Sequence, residues 1–327
     1  MRPRRYSVLR RLITLGVLVT GVNRGARAQS QVNAEAPDLL FPAGARIMGM
    51  GQAAVATVMG SEALFWNPAG VARSSRELSF GFVTNVPLPV SDLSASVVLP
   101  VPRVITFALN VRYFNYGLEP SSDSAGNERG SFYPWSTTVT ATFAAPFGDR
   151  LNVGVNLKAI GFGFSCTGIC DLPAGTPLTG AIDAGAQYAV RKDSSILLGL
   201  AVRNIGLPIQ FNDSPQADPL PKRIDAGVAF LAKPAQSPGV RLLVAADVVS
   251  RFNGEGGLGF RAGSEASWLN QYFGRIGYVV EGPNGSGPSF GVGVARGKWR
   301  ADFAQFLSDA GGIGGTKPTY LTLRYVF

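Results

Sequence analysis

The sequence predicts an all-β fold, a transmembrane outer-membrane β-barrel of about 14 antiparallel strands with an N-terminal hatch or plug segment. Three observations carry that expectation. The final nine residues alternate with a period of two. Thr319, Leu321, Leu323, Tyr325 and Phe327 fall on one face, and Tyr320, Thr322, Arg324 and Val326 on the other. After the leader, no run of 18 or more apolar residues occurs, which excludes helical membrane spans. The connections between the alternating segments are short and long by turns, as in a barrel whose turns face one side and whose loops face the other.

The amino terminus carries an address. Arg2, Arg4, Arg5, Arg10 and Arg11 precede an apolar run from Leu12 to Val22, and Ala26-Arg27-Ala28 offers small residues where a signal peptidase reads them. Residues 1–28 are therefore expected to be a secretory signal peptide cleaved after Ala28. An anchor helix would need about 20 apolar residues, and Asn23 and Arg24 interrupt the run too soon. Export to the bacterial outer membrane follows as the expected location.

Charge and composition exclude several functions. Of 30 lysines and arginines, seven arginines lie in the leader, which leaves 23 basic residues against 21 acidic ones. The basic balance of the whole chain is thus no argument for nucleic acid. With two cysteines and no histidine, histidine catalysis is excluded and ordinary zinc sites are excluded or nearly so. The glycine-rich stretches 253–257 and 311–315 lack the Lys-Ser/Thr ending and following helix of a phosphate loop. No catalytic, cofactor-binding or metal-binding residue is expected, and the protein is not expected to be an enzyme.

Fourteen strands are predicted over 77–84, 91–99, 104–113, 136–145, 151–162, 179–190, 195–205, 223–231, 240–249, 256–264, 272–280, 289–295, 299–306 and 318–327. Several declare their two faces. Ile105, Phe107, Leu109, Val111 and Tyr113 would meet lipid while Thr106, Asn110 and Arg112 point inward. Leu151, Val153, Val155 and Leu157 oppose Asn152, Asn156 and Lys158. Ile182 and Tyr188 oppose Asp183 and Gln187, and Leu198 and Leu200 oppose Arg203. Leu242, Val244 and Val248 oppose Arg241 and Asp247, and Trp299 and Phe303 oppose Arg300 and Asp302. A polar inner face demands a closed lumen, because an open edge would strand backbone groups in lipid. The short connections 100–103, 146–149, 191–194 and 296–298 suit periplasmic turns, and 114–135, 163–178, 206–222 and 307–317 suit outer loops.

Residues 41–76 do not alternate like the rest, and they make up most of an expected N-terminal segment over 29–76. Pro42 to Gly51 is rich in small residues, Gln52 to Met59 could form about two helical turns, and Ser61 to Gly70 ends on Asn67-Pro68-Ala69-Gly70. Pro68 disfavours helix at Asn67 and marks a turn. Small side chains permit close packing, so the segment is expected to be a periplasmic or luminal hatch preceding a barrel over 77–327. A tail packed beneath the barrel is the plainer alternative.

Here the chain resembles the PorV/PorQ family of outer-membrane proteins, which is related to the FadL-like long-chain fatty-acid transporters. The resemblance rests on Gly44-Ala45-Arg46, Met48-Gly49-Met50-Gly51, Ser61-Glu62-Ala63 and Trp66-Asn67-Pro68-Ala69-Gly70. It extends to Ala201-Val202-Arg203-Asn204-Ile205-Gly206 with Asp218-Pro219-Leu220-Pro221, and to the closing segment from Gly291 to Phe327. It implies a plugged fourteen-stranded barrel. FadL-like members move hydrophobic molecules across the outer membrane, whereas some PorV-like members serve type IX secretion by docking exported proteins at the surface. The family's Asp-Asp before the Asn-Pro-Ala turn is replaced here by Gly60-Ser61-Glu62.

Three constellations remain. Cys166 and Cys170 lie in a long outer loop and could close a disulfide in an oxidising compartment. Arg112, Lys158, Asp183, Arg241, Asp247, Arg300, Asp302 and Arg324 share the inward phase, as a charge-paired network that stiffens the lumen or as a conduit for a charged solute. Phe114, Tyr116, Phe132, Tyr133 and Trp135 border the longest loop, as an outer hydrophobic patch that collects a ligand or as an aromatic belt. The expected partners are outer-membrane lipid and either a hydrophobic or amphipathic small molecule or secretion-machinery proteins, with no nucleic acid and no cofactor.

Overall fold

The computed structural model describes residues 36–85, 90–101, 104–170, 176–210, 217–252, 257–280, 286–308 and 317–327. The expected signal peptide and its cleavage site lie outside them. Fifteen strands follow the hatch in chain order: β1 Glu77–Asn85, β2 Val90–Val101, β3 Ile105–Asn115, β4 Glu119–Ser122, β5 Glu128–Phe147, β6 Leu151–Gly168, β7 Leu178–Ala189, β8 Ile196–Gly206, β9 Arg223–Ala232, β10 Val240–Arg251, β11 Gly259–Trp268, β12 Tyr272–Val280, β13 Ser286–Arg296, β14 Trp299–Phe306 and β15 Thr319–Val326. Each pairs antiparallel with its neighbour, β1 pairs with β15, and β3 pairs with β5 around the short β4. The result is a closed, 14-stranded barrel with β4 as a fifteenth strand hung on the edge of β5.

Closure runs through the predicted terminal strand. Glu77 faces Val326 and Thr84 faces Thr319 in one unbroken register. The outer wall is apolar around its circumference, with Phe80, Leu93, Phe143, Leu200, Phe230, Val244, Ile276, Val292 and Leu321 all exposed. Among the described residues no helix is long and apolar enough to cross a membrane. Closure leaves no strand edge of the barrel unpaired, which is the condition a bilayer sets for a sheet that crosses it.

The largest differences from the sequence reading each have a physical reason. β5 and β6 pair from Phe147 and Leu151 out to Gly130 and Gly168, well past their neighbours. Outside a bilayer a strand has no greasy face to declare, and Gly130 and Pro134 break the alternation there. The same reasoning applies to β4, expected as plain loop. β11 runs to Trp268 rather than stopping at 264, because Glu265 continues the strand while paired with Arg46 and Arg275. Glu265 is a half-buried partner of two arginines.

The hatch occupies the lumen. It begins near the long-loop end, where Phe41 packs on Phe114 and Tyr320. It then carries α1 Ala45–Gly49, follows the inner wall past β13, β12, β11 and β10, turns through α2 Ala63–Trp66, and leaves beside the 148–150 turn. Ala45, Ile47, Met48, Met50, Ala53, Ala54, Val55, Val58, Leu64 and Val71 are all buried.

Candidate luminal pathway between hatch and wall

Close approach of two backbones decides where the hatch can sit. Gly277 of β12 has no side chain, and a Cβ added there would lie 2.0 Å from the nitrogen of Gly51. Gly51 itself has φ of 61°, a conformation that favours glycine. Hatch and wall thus meet as bare backbone.

Polar wall residues then satisfy the irregular hatch backbone, as burial demands. Asp247 Oδ2 accepts the amides of Ala54 at 2.7 Å and Val55 at 3.0 Å. Gln187 Nε2 donates to the carbonyls of Val55 and Val58. The amide of Ala45 donates to Thr322 Oγ1, and Glu77 Oε1 accepts both the amide and the hydroxyl of Ser61.

The Asn67-Pro68-Ala69-Gly70 turn is the hub of this fastening. Asn67 Oδ1 accepts the amide of Ala69, Pro68 stands at the first position of a 3-10 turn, and Asn67 Nδ2 donates to the carbonyls of Val55, Ala186 and Leu200. One buried amide therefore ties two parts of the hatch to β7 and β8. Gly70 lies against Val58, where an added Cβ would meet the carbonyl oxygen at 2.2 Å.

Charged residues at the inward phase form compact clusters. Arg112 pairs with Asp92 at 2.5 Å and donates to the carbonyls of Asp38 and Phe41. Lys158 lies 2.7 Å from Asp183. Asp302 gathers Arg275, Arg300 and Arg324 at 2.9, 3.0 and 2.7 Å. Asp225 gathers Arg203, Arg223 and Arg261, and the guanidinium groups of Arg203 and Arg261 stand over Trp66 at 5.3 Å. Asp247 holds the hatch by its backbone, as above. Arg241 does not belong with them. It is exposed at the rim, since inward phase places a side chain in the lumen only away from the strand end.

Asp225, Arg223, Arg261, Asp92, Glu265 and Arg275 were not singled out from sequence, and Arg203 and Arg46 were named without these partners. Their signal was the same alternation that marked Asp302, carried on strands or hatch residues whose partners lie far away in the chain.

On the long-loop side of the hatch lies a cavity of about 30 Å³, lined by Leu39, Leu40, Phe41, Leu64, Phe65, Asn110, Arg112, Lys158, Arg203 and Arg223 among others. A cavity of roughly 10–15 Å³ admits one water, and one of about 150 Å³ is needed for benzene. This pocket has room for water and is too small for an aromatic ring. Just before this lining in the hatch, burial pushes the Asp38 carboxyl upward against the opposing pull of Arg112.

The expected outer patch divides. Phe114 is buried at 1% exposure and packs edge-on against Phe41 and Tyr116. The hydroxyl of Tyr116 donates to Asp38 at 2.9 Å. Both are therefore luminal, because β3 turns those alternate residues toward the hatch. Tyr133 is exposed, while Phe132 and Trp135 are half-buried, on the outer extension of β5. Cys166 and Cys170 form a disulfide beside that extension. Among the described residues no His, Cys, Asp and Glu side chains gather into a metal-holding group.

No family model matches the chain, and no curated protein does. Solved structures of low identity share its fold. The toluene transporter TbuX of Ralstonia pickettii superposes with a TM-score of 0.61 at 14% identity, covering 88% of this chain and 99% of that one. The toluene transporter TodX of P. putida gives 0.62 at 12% identity with the same coverage. A FadL homologue from Pseudomonas aeruginosa gives 0.51 at 11% identity, covering 88% and 99%.

Proposed function

We propose that this protein is an outer-membrane channel that passes small hydrophobic molecules between the long-loop face and the membrane or periplasm. The observation that carries this reading is the plugged barrel itself: a 14-stranded wall and a luminal hatch that match toluene transporters over nearly their whole length. The cavity supports it chemically. Leu39, Leu40, Phe41, Leu64 and Phe65 supply an apolar lining on the hatch side, while the wall side is polar. At about 30 Å³ the cavity describes the closed state. Passage of an aromatic ring requires the 39–43 stretch to swing off the wall and enlarge it.

The finer PorV/PorQ assignment rests on motif order alone. The docking of exported proteins, its companion role, draws no separate support from the lumen. A direct test expresses the chain in a bacterium that lacks a monoaromatic channel and follows uptake of radiolabelled toluene. Faster uptake than in cells carrying the empty vector is expected, with Phe41→Trp slowing it by crowding the cavity. Uptake no faster than background in cells with folded barrel in the outer membrane would sink the proposal.

A further inference from the structure

We infer that the seam where the barrel closes, at its short-turn end, is a binding site for the headgroup of an anionic phospholipid. The inference rests on the membrane reading of the barrel and concerns a different surface from the lumen.

At this seam β13, β14, β15 and β1 lie side by side. Trp299, Tyr325 and Phe327 pack in a row, the first pair tilted and the second edge to face, with centroid separations of 4.8 and 5.0 Å, and Trp299 and Phe327 are more than half exposed. Exposed aromatics of this kind sit at the boundary between acyl chains and headgroups. The depth of the lipid surface is therefore fixed by residues of the seam itself.

Three exposed cations stand at that depth. Arg296 ends β13 directly across from Trp299. Lys298 occupies the β13–β14 turn with its ammonium 5.8 Å from the ring of Tyr325. Arg76 precedes β1, and its carbonyl accepts the amide of Phe327. The nearby acids are engaged elsewhere: Asp302 is buried among three arginines in the lumen, and Glu77 is buried against Ser61.

A phosphodiester matches this arrangement better than a folded partner does. The cations frame an aromatic row that must itself be in contact with lipid, so a phosphate at headgroup height is already within reach. Two guanidinium groups and an ammonium supply directional donors to its oxygens. Basic residues at a bilayer surface add attraction for anionic lipid that decays over a Debye length.

The test uses the mature chain with Trp135→Phe and Trp268→Phe. Trp299 is then the one lipid-facing tryptophan, while Trp66 remains inside the lumen. Reconstituted into phosphatidylcholine vesicles, the protein is titrated with brominated phosphatidylglycerol or brominated phosphatidylcholine. Quenching of Trp299 should favour phosphatidylglycerol several-fold. That preference should fall to about one in Arg76→Gln/Arg296→Gln/Lys298→Gln and weaken in high salt. Equal quenching by the two lipids, or an unchanged preference in the triple variant, overturns the inference. Barrel insertion is scored separately by the mobility difference between boiled and unboiled protein on gels. A loss of lipid preference in an inserted barrel is thereby distinct from a failure of the membrane reading.

Discussion

At the residue scale, single buried side chains decide whether the hatch stays seated. Asp247 accepts two hatch amides through one oxygen. Replacing Asp247 by Ala leaves both buried amides unpaired, at a cost of about 1–3 kcal/mol each. Hydrogen exchange at residues 54 and 55 should accelerate accordingly, and protection equal to wild type would show that the wall carboxylate is not a fastener. Glu62 offers a pH dependence. Burial raises its carboxyl above the ordinary range, while Arg324 pulls it back. An acid whose folded pKa is raised favours the seated state below its unfolded pKa and loses that contribution as pH rises toward the folded value. Hatch protection should therefore weaken from acid toward neutral pH in the wild type. Glu62→Gln should flatten the profile, because its amide oxygen can still accept from the backbone of Arg46. A profile as steep in the variant as in wild type would assign the pH dependence to another group.

At the scale of the element, the hatch depends on wall strands that lack side chains where it crosses them. Gly277→Val would put a branched side chain where even a Cβ lies 2.0 Å from Gly51. We expect the barrel to close, since the altered position faces the lumen, and the hatch to become sensitive to protease added to detergent-solubilised protein. An intact hatch in a folded Gly277→Val barrel would contradict the backbone contact. The outer extension behaves differently. Cys166 and Cys170 enclose only a short stretch at the tip of β6. A small loop loses little entropy on closure, so reduction should loosen the tip and leave the thermal transition of the wall where it was. A fall in that transition on reduction would mean that the extension supports the barrel.

At the scale of the molecule, closure and plugging are separable. The wall is hydrogen-bonded through its own strands, and the hatch adds polar contacts and packing within it. Deleting residues 29–72 should leave a barrel that migrates anomalously until boiled. It should also raise single-channel conductance in planar bilayers from near zero to a steady open level. A deletion variant that inserts yet stays closed would show that the wall residues alone seal the lumen.

The sequence determined the period-two faces, the number of crossings and the alternation of turns and loops. Each is written in neighbouring residues, as an apolar face that alternates with a polar one. It also exposed the irregularity of 41–76, the inward phase of Asp302 and Asp247, and the closeness of Cys166 to Cys170. It did not place Phe114 inside the lumen or reveal that Glu265 continues a strand. Nor could it show that Asp225 collects Arg203, Arg223 and Arg261. Those facts belong to the tertiary structure, because a buried charge takes its meaning from partners brought in by other strands. The path of the hatch was decided there too: Gly51 and Gly277 are 226 positions apart in the chain and meet only once the barrel has closed.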